Sequence, residues 1–369
     1  MKIVAITAHA VQAAMRIPYI TAMVQKTVST SVVTVVRTDD GQIGVGQATT
    51  SAQNYSRFEE FQSSICQVVQ ENIAPALMGV DPCDLEEIHL RMNRFAKGHL
   101  YAHSTVDLAC HDWMGRASGR PVVKLIGGSL RERLPLCAPH LGIVPAHEMA
   151  EQAAAFVAQG YRHINLRVGL ALADDVRNVS AVRAAVGPDV AIAVDFSQSL
   201  NGQGFRNDTA IVHLRALEKA GVNVFEQPVA DGDLEGLAKI SAAIDAPVIA
   251  DEAIRTLQDA LRLVQLQAAD AVKIKLMKVG GIHPARKMAA VLQAAGIPVT
   301  VGNGLAGAIA NSAEAHFAFS LPNLKLPGEM NGFLRLHGQA ELCDLVMDGC
   351  DLLCPTQPGL GLRSQEYLT

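Results

Sequence analysis

From Leu134 onward, short apolar segments alternate with amphipathic segments of helical periodicity, and the unit recurs about every 25–30 residues. Apolar strands that alternate with helices indicate a parallel sheet covered by helices. Eight strands and seven helices in about 200 residues favour a closed barrel. An open doubly wound sheet is the weaker alternative. That fold needs a glycine-rich phosphate loop after the first strand, and only Gly142-Ile-Val-Pro145 stands there.

The predicted barrel strands are short and apolar. They are Leu136–Leu141, His163–Val168, Val190–Val194, Val222–Phe225, Pro247–Ala250, Ala271–Ile274, Pro298–Val301 and Asn323–Leu326. The predicted helices lie near 146–159, 174–186, 208–220, 234–244, 256–268, 284–295 and 306–320. Gly160, Gly187, Gly221 and Gly296 stand where helices are expected to end.

Residues 1–130 are predicted to form an α+β domain of their own. Asp39-Asp40-Gly41 predicts a turn between the strands Thr27–Arg37 and Ile43–Ala48. Helical spacing of apolar residues then continues over 57–120.

Two polar segments of this domain, Met15–Val24 and Thr49–Tyr55, are predicted to be loops. The barrel is predicted over residues 131–349. The irregular tail 350–369 is expected to run back and join the first domain.

The overall charge excludes several partners. The chain has 369 residues, a formal net charge of −5 and no basic stripe, so neither nucleic acid nor an acidic membrane is expected to bind. No apolar run approaches the roughly 20 residues of a membrane span. Seven dispersed cysteines without a CxxC pair indicate reduced thiols, so a cytoplasmic location is expected.

Three consecutive predicted barrel strands end in an acid, namely Asp195, Glu226 and Asp251. The C-terminal ends of such strands meet at one rim, where barrel active sites lie. Three carboxylates without a His or Cys companion suit Mg²⁺ or Mn²⁺ better than zinc. The alternative, that each acid caps the following helix, becomes weaker for three in succession. Glu252 is also a possible ligand, but strand alternation sends it to the side opposite Asp251, which continues the strand.

The next strand ends in Lys275. Beside a dication its pKa is expected to fall, which suits a general base. Lys273 lies on the same strand face and adds a like charge if it points inward. The alternative for Lys273 is a buried ion pair with Asp195 or Glu226. Lys278 is assigned to the following loop.

The second barrel strand ends Asn165-Leu166-Arg167, so Asn165 and Arg167 share the inward face. A guanidinium stays protonated, so Arg167 is predicted to clamp an anion or to stabilise charge. Glu329, after the eighth strand, is a candidate to line the pocket. His99 and His103 are at helical spacing, but without a third ligand they are expected to be packed or surface histidines.

These strand ends resemble those of the enolase superfamily. The matching motifs are Val194-Asp195, Phe225-Glu226-Gln227-Pro228, Ala250-Asp251-Glu252 and Ile274-Lys275-Leu-Met-Lys-Val-Gly280-Gly281. Within the superfamily, the chain is most similar to the muconate lactonizing enzyme (muconate cycloisomerase) subgroup. The segments that carry this second likeness are Gly44–Thr50, Ser104–Asp112, Pro358–Leu362 and Glu329.

The resemblance implies a (β/α)7β modified TIM barrel with an N-terminal α+β capping domain. It also implies Mg²⁺ or Mn²⁺ on Asp195, Glu226 and Asp251, where the metal binds a substrate carboxylate and stabilises the enediolate formed when the α-proton leaves. Loops near Met15–Val24 and Ser51–Tyr55 are expected to close over the substrate, which makes Tyr55 a candidate substrate-binding residue with Asn165. A homo-oligomer is implied as well.

The chain departs from the subgroup where a second base is expected. The usual Lys-x-Lys of the second strand is Asn165-Leu166-Arg167, and Gln47 and Ser197 replace a usual Glu and Asn. These changes argue against racemisation with a lysine on each face. They also argue against ordinary muconate cycloisomerisation, which uses the second-strand lysine as proton donor.

The expected function is therefore a divalent-metal-dependent lyase or isomerase of the mandelate racemase/muconate lactonizing enzyme type. It is expected to remove the proton alpha to a small carboxylate through Lys275, for example in a dehydration. Two alternatives stay open. One is a homologue that binds metal and carboxylate without turnover, and the other is a racemase or epimerase with a second acid/base other than lysine.

Overall fold

The computed structural model describes residues 1–20, 25–50, 59–196 and 207–363. An antiparallel sheet with helices forms the N-terminal part, and a parallel sheet with helices forms the C-terminal part. No helix in the described ranges has both the length and the apolar character to cross a membrane.

The N-terminal sheet has three strands in sequence order. They are β1 Ile3–Ile20, β2 Gln25–Thr38 and β3 Ile43–Thr50. The predicted loop at Met15–Val24 is wrong for its first part, because β1 continues to Ile20 and Tyr19 pairs with Lys26 on β2. Met15 and Tyr19 are buried against Leu336 of the C-terminal part, so contacts distant in sequence extend this strand. The predicted loop at Thr49–Tyr55 likewise begins with two β3 residues, and the rest of that segment lies outside the described residues.

Helices cover one face of this sheet. They are α1 Gln62–Val68, a π-helical turn Val69–Ile73, α2 Ala74–Leu77, α3 Leu85–Phe95, α4 Leu100–Ser118 and α5 Val122–Leu125. The helix α4 is buried along most of its length because it lies between the sheet and the C-terminal part. Its residues Tyr101, Val106 and Ala109 share one apolar cluster with Ile3 and Val36 of the sheet.

Six parallel strands form the C-terminal sheet, and each neighbour in the sheet is a neighbour in the sequence. The strands are β5 His163–Arg167, β6 Ala191–Asp195, β7 Val224–Glu226, β8 Val248–Ala250, β9 Ala271–Ile274 and β10 Val299–Val301. The helices around them are α6 Ala146–Ala158, α7 Leu172–Val186, α8 Asn207–Ala220, α9 Leu234–Ser241, α10 Leu257–Leu266, α11 Leu276–Val279, α12 Ile282–Ala294 and α13 Ala308–Ser320. A short β4, Arg133–Pro135, precedes this sheet.

The predicted first and eighth barrel strands close the sheet through single bridges instead of continuous ladders. Leu141 pairs in parallel with Leu166, and Leu324 pairs with Val299. Leu136 pairs with Gly328, and the Cys137 amide donates to the Gly328 carbonyl at 2.9 Å. Both edges of the six-stranded sheet are thus joined. The predicted (β/α)7β barrel with an α+β N-terminal part is confirmed.

The C-terminal segment crosses back to the N-terminal part. It contains α14 Gly332–Arg335, a 3-10 turn Ala340–Leu342, β11 Met347–Asp348 and β12 Asp351–Leu353, and β12 pairs with β4. The Leu360 amide donates to Asp112 of α4 at 2.8 Å. The domain limits 1–130 and 131–349 stay a prediction.

Candidate active site

Strand parity brings the predicted site residues to one face of the barrel. Partners in neighbouring parallel strands point to the same side of a sheet, and side chains alternate along each strand. Arg167 pairs with Asp195, and Asp195 pairs with Glu226. Glu226 pairs with Ile249 and Ile249 with Ala271, so Asp251, Lys273 and Lys275 have the same parity. All of them lie at the C-terminal ends of their strands, where a barrel carries its active site.

The three predicted acids are almost completely buried, with exposures of 2% for Asp195 and 1% each for Glu226 and Asp251. Asp195 and Glu226 stand at the same level of the sheet. Asp251 lies two residues beyond Ile249, the register partner of Glu226, so two of the three acids stand at equal depth. Buried carboxylates need compensating charge, and nearby cations supply it.

Each acid has its own cationic partner. The Arg167 guanidinium donates to Asp195, and the Lys273 ammonium donates to Glu226. Asp251 accepts hydrogen bonds from two ammonium groups, those of Lys275 and Lys278. The prediction that Lys278 belongs to a loop is therefore wrong. It lies on α11 with 7% side-chain exposure, because the turn after β9 directs it back to Asp251.

The donor set fits a hard cation, because it consists of carboxylates only. The Glu226 Oε1 atom is buried and has no hydrogen-bond partner in the described chain, which leaves a ligand atom available. The acids are turned towards their lysine and arginine partners, however. Among the described residues, no three His, Cys, Asp or Glu side chains come together as a metal site. The assignment of the three acids as metal ligands therefore stays a prediction. Binding of an ion requires that the acids exchange their lysine and arginine partners for it.

The proton affinities of the acids follow from this pairing. Burial raises the pKa of Asp195, but Arg167 and Lys273 outweigh burial and hold it below its usual value. Burial also raises the pKa of Asp251, and Lys275 and Lys278 reverse the shift. For Glu226, burial and the charge of Asp195 hold the pKa well above its usual value despite Lys273.

Lys275 lines a cavity of about 100 Å³ at the C-terminal rim of the barrel, between the N-terminal and C-terminal parts. The expected fall in its pKa is not found in the structure. Burial lowers the pKa of Lys275, but Asp251 and Glu252 outweigh burial and raise it well above its usual value. The prediction assumed the positive charge of a bound dication, whereas carboxylates dominate the surroundings of the ammonium here.

Lys273 is 1% exposed and forms the buried ion pair that was the alternative to a catalytic role. Its ammonium donates to Glu226, as proposed, and to Glu329 Oε1 at 2.7 Å, which the sequence did not indicate. Glycine at position 302 provides the room, since a Cβ there would lie 2.7 Å from the Lys273 Cδ atom. Glu329 also accepts from the Asn165 Nδ2 atom at 3.1 Å. Two of the three candidate residues for lining the pocket or binding substrate, Asn165 and Glu329, are thus brought together.

His140, a residue that the sequence did not single out, links the two sides of the site. Its Nδ1 atom lies 2.9 Å from Arg167 Nη2, and its Nε2 atom lies 3.1 Å from Glu329 Oε1. Because a guanidinium only donates, Nδ1 accepts and Nε2 carries the hydrogen. Burial lowers the pKa of His140 to about 4, so the ring is neutral at pH 7. No motif marks His140, and only closure of the barrel brings it beside Arg167.

Two residues beside the predicted acids, Glu252 and Gln227, also shape the site. Strand alternation assigned Glu252 to the opposite side, but β8 ends at Ala250 and Glu252 lines the cavity. Burial raises the pKa of Glu252 to about 8, with Asp251 adding to the effect. Gln227 has φ of 39°, and its side chain accepts from the Asp251 amide at 2.8 Å. The hydrogen bond from the Asp251 amide to the Gln227 side chain holds the backbone at Asp251.

The cavity wall includes further residues that the sequence did not indicate. Tyr19, Lys26 and Tyr101 come from the N-terminal part, and Asn303 and Arg335 come from the C-terminal part. The Arg167 and Arg335 guanidinium carbons lie 5.3 and 5.2 Å from the centroid of the Tyr19 ring. Four cations therefore line the cavity, namely Lys26, Arg167, Lys275 and Arg335, together with the three acids Glu59, Glu252 and Glu329.

The remaining candidates are placed as follows. Tyr55 and Ser197 lie outside the described residues. His99 contacts the Glu60 carboxylate at 3.0 Å, and His103 contacts the Ala96 carbonyl at 2.8 Å. His103 is buried and the His99 side chain is 41% exposed, so they are a packed and a surface histidine, the two kinds that were expected.

Comparison with known proteins defines the class of this site. Residues 3–127 match the N-terminal domain of the mandelate racemase / muconate lactonizing enzyme family, and residues 148–368 match the enolase C-terminal domain-like family. The chain belongs to the enolase superfamily, in its muconate lactonizing enzyme subgroup, and it is an enzyme of that superfamily.

Three relatives show what the chain is similar to. The N-succinyl-L-Arg/Lys racemase of Bacillus cereus is 33% identical over 99% of this chain and 96% of the relative, and its crystal structure superposes with a TM-score of 0.92. The 2-chloromuconate cycloisomerase of Rhodococcus opacus has a TM-score of 0.94 at 27% identity, over 100% of this chain and 98% of the other. A dipeptide epimerase of Enterococcus faecalis, solved with Mg and the dipeptide L-Leu-L-Tyr, has a TM-score of 0.89 at 27% identity, over 98% and 99%. Racemases, epimerases and cycloisomerases thus define the general reaction class.

Proposed function

We propose that this enzyme is a divalent-metal-dependent isomerase or lyase that removes the proton alpha to a small carboxylate, with Lys275 as the base. The observation that carries the proposal is the position of Lys275. It lines the cavity at the rim of the barrel, one strand from Asp251 and on the same face as Asp195 and Glu226. A base in that position can reach a substrate that lies between the acids and the cavity mouth.

Asp195, Glu226 and Asp251 are the proposed holders of Mg²⁺ or Mn²⁺. When bound, the ion supplies positive charge that holds a substrate carboxylate and stabilises negative charge next to it. The carboxylate-only donor set and the buried Glu226 Oε1 support this assignment. A structure of the Enterococcus dipeptide epimerase with Mg gives further support by relationship.

Lys275 must be neutral to accept a proton. Its hydrogen bond to Asp251 favours the ammonium form, so exchange of that contact for a cation on Asp251 lowers the pKa in the direction that catalysis requires. Water is kept from the inner end of the site by the buried network of Lys273, Glu329 and Asn165. Within this network Lys273 holds Glu226, and Glu329 lines the same cavity as Lys275.

Arg167 faces the substrate from the strand that normally carries the second lysine. Burial lowers its pKa, but Asp195 outweighs burial and raises it, so the guanidinium stays charged. Arg167 is thus proposed to stabilise an anion and not to transfer a proton. Proton removal and return are then restricted to the Lys275 face, which predicts exchange without inversion.

Solvent exchange tests this function. The protein is incubated with Mg²⁺ in D₂O and a set of carboxylates taken from the names of its relatives and of solved structures similar to it: N-succinyl amino acids, dipeptides and muconolactone. The expected result is that at least one member exchanges its α-proton. If several members raise the melting temperature and none exchanges, the protein binds carboxylates without turnover and the proposed function is wrong.

One observation favours the epimerase alternative. His140 is neutral, lies beside Arg167 and lines the same cavity as Lys275. If it relays a proton, exchange is accompanied by inversion of the α-carbon, and His140→Gln removes inversion while Lys275-dependent exchange persists. Chiral analysis of the exchanged substrate distinguishes the two mechanisms.

A further inference from the structure

The segment that follows Lys275 is short and buried. Lys275 directly precedes α11, whose four residues are all buried, and two glycines with φ of 93° and 116° then lead into α12. Lys278 of α11 reaches back to Asp251, so Lys275 and Lys278 contact the same carboxylate from one segment. The position of this segment therefore determines where the ammonium group of the proposed base stands.

Asp107 of α4 supplies the N-terminal cap of α12. The residue before α12, Gly281, has no side chain to accept from the first amides of the helix. The Asp107 carboxylate accepts instead from the Ile282 amide at 2.6 Å and from the His283 amide at 3.3 Å. A carboxylate is favourable at a helix N-terminus, and this one comes from 175 residues earlier in the chain. The helix after the base is thus capped by the N-terminal part of the protein.

Other residues of α4 lie along the same connection. A Cβ on Gly280 would lie 3.5 Å from Leu100 Cδ2 and 3.8 Å from His103 Cβ. Met277 of α11 belongs to the apolar cluster of the N-terminal sheet and its helices, and it also lines the active-site cavity. Helix α4 therefore contacts α11, the glycine pair and the start of α12.

Two histidines hold Asp107 in its ionised form. The Asp107 side chain is completely buried, and its carboxylate accepts from the His89 Nε2 atom at 2.8 Å. The His111 Nδ1 atom lies 3.2 Å from Asp107 Oδ1. Burial raises the pKa of Asp107, but His111 and His89 outweigh burial and hold it well below its usual value. The His89 ring also stacks on the His283 ring with centroids 5.1 Å apart, so α3 supports the same contact.

We propose that Asp107 is a positioning residue for the base: it fixes the segment that carries Lys275 and Lys278 and so sets where the base stands relative to a substrate. Asp107 is not one of the residues that line the active-site cavity, so it acts through the backbone of this segment. A misplacement of about 1 Å can cost roughly 100-fold in rate. This inference rests on the proposed function, which assigns removal of the α-proton to Lys275.

Asp107→Asn tests this role. Asparagine has the same shape, but one of its two acceptors becomes a donor, so at least one bond to the α12 amides is lost. His89→Leu is the second variant, because it leaves the carboxylate in place and removes a donor that holds it. Gly119→Ala is the matched control, because it strains the end of the same helix and no atom would lie within 4 Å of its Cβ.

Three quantities are measured on the full chain of each folded variant. The first is the rate of α-proton exchange in D₂O with Mg²⁺ and the N-succinyl amino acid, dipeptide or muconolactone that the wild type exchanges. The second is the Mg²⁺ affinity by calorimetry. The third is the ¹³C-methyl NMR signal of Met277, assigned with Met277→Leu, which reports the position of α11. Denaturant unfolding gives the stability of each variant.

In Asp107→Asn the exchange rate at saturating substrate is expected to fall about 10- to 100-fold and the Met277 signal to shift. The Mg²⁺ affinity is expected not to weaken, because the three proposed ligands belong to β6, β7 and the end of β8. His89→Leu is expected to cause smaller changes in the same direction, and Gly119→Ala to change none of the three quantities.

A wild-type exchange rate in folded Asp107→Asn, or a fall in rate without a shift of the Met277 signal, overturns the role of Asp107. An equal fall in Gly119→Ala also overturns it, because loss of stability would then be the cause. If Asp107→Asn does not fold, a wild-type rate in His89→Leu overturns the role. Absence of exchange by the wild type with every carboxylate shows instead that the proposed function is wrong, and this inference with it.

Discussion

Arg167 and Asp195 are direct register partners on β5 and β6, and the Arg167 guanidinium forms an ion pair with the Asp195 carboxylate at the barrel rim. The residue that replaces the expected second lysine is thus tied to the first proposed metal ligand. Through His140, whose Nε2 atom lies 3.1 Å from Glu329 Oε1, a chain of polar contacts continues to Lys273. A change at the second strand therefore alters both the acid/base chemistry and the charge around the metal site.

Removal of the Arg167 charge is expected to strengthen metal binding. In Arg167→Met the guanidinium no longer competes for Asp195, and a like charge next to the ion is lost. We expect Mg²⁺ to bind about tenfold more tightly, a difference of about 1.4 kcal/mol, while α-proton exchange falls. Calorimetric titration with Mg²⁺ measures the affinity, and weaker binding in the variant contradicts the assigned competition.

The three acids are expected to be needed for stabilisation by metal. Asp195→Asn, Glu226→Gln and Asp251→Asn each remove a charged oxygen ligand, so each is expected to lose the rise in melting temperature that Mg²⁺ gives the wild type. Asp174→Asn is the control, because Asp174 pairs with Arg177 on the exposed face of α7. If all three variants keep the full Mg²⁺-dependent rise, the metal assignment is wrong.

Gly281 is expected to be essential for the junction between α4 and the barrel. Asp107 on α4 accepts hydrogen bonds from the amides of Ile282 and His283, and a Cβ on Gly281 would lie 2.3 Å from the Asp107 carboxylate. Gly281→Ala is expected to destabilise the protein by at least about 3 kcal/mol, because a clash adds to strain at its φ of 116°.

Gly119→Ala serves as the control for strain alone. Gly119 ends α4 with φ of 64°, and no atom would lie within 4 Å of a Cβ there. A loss of about 1 kcal/mol is expected. Denaturant unfolding measures both variants, and equal losses would show that the contact with Asp107 is unimportant.

Acid sensitivity is expected to depend on His316 of α13. Burial lowers the pKa of His316 to about 3. In the unfolded chain a histidine binds its proton near pH 6.5, so between about pH 6 and 4 the unfolded state binds more protons. The free energy of unfolding therefore falls with falling pH in this window, by about 1.4 kcal/mol per pH unit for this residue.

His316→Gln is expected to remove that contribution. Gln retains an acceptor for the Val123 amide, which lies 3.2 Å from His316 Nδ1, but it does not titrate. The slope of the unfolding free energy against pH should decrease by about 1.4 kcal/mol per pH unit between pH 6 and 4, which corresponds to one proton fewer taken up on unfolding. His147→Gln, a change at a side chain that is 75% exposed, should leave the slope unchanged. An unaltered slope in His316→Gln contradicts the prediction.

Sequence patterns were sufficient to predict a site residue where that residue directly follows its own buried strand. Asp195 and Glu226 end their strands as predicted, because a buried strand followed by an acid is a local signal. The extension of β1 over Met15–Ile20 was missed because its buried residues contact Leu336, more than 300 positions away. His140, Tyr19 and Arg335 were missed for the same reason, since closure of the barrel and the N-terminal sheet bring them to the cavity.

The charge state of Lys275 could not be predicted from its position alone. The sequence placed it beside acids, but whether its pKa rises or falls depends on which cation neutralises those acids. In the structure Lys275 itself shares that role with Lys278, Lys273 and Arg167. The exchange between protein cations and a metal ion is therefore the physical step that connects metal binding to the base.

Exchange of the α-proton in D₂O, compared between the wild type and Lys275→Met in the presence of Mg²⁺, tests the central claim most directly. Lys287→Met is the control, because Lys287 pairs with Glu86 on the surface. With a carboxylate that the wild type exchanges, Lys275→Met is expected to be slower by about 10²- to 10⁴-fold, the usual contribution of a general base, while Lys287→Met keeps the wild-type rate. An exchange rate in folded, Mg²⁺-stabilised Lys275→Met equal to that of the wild type would contradict the assignment of Lys275 as the base.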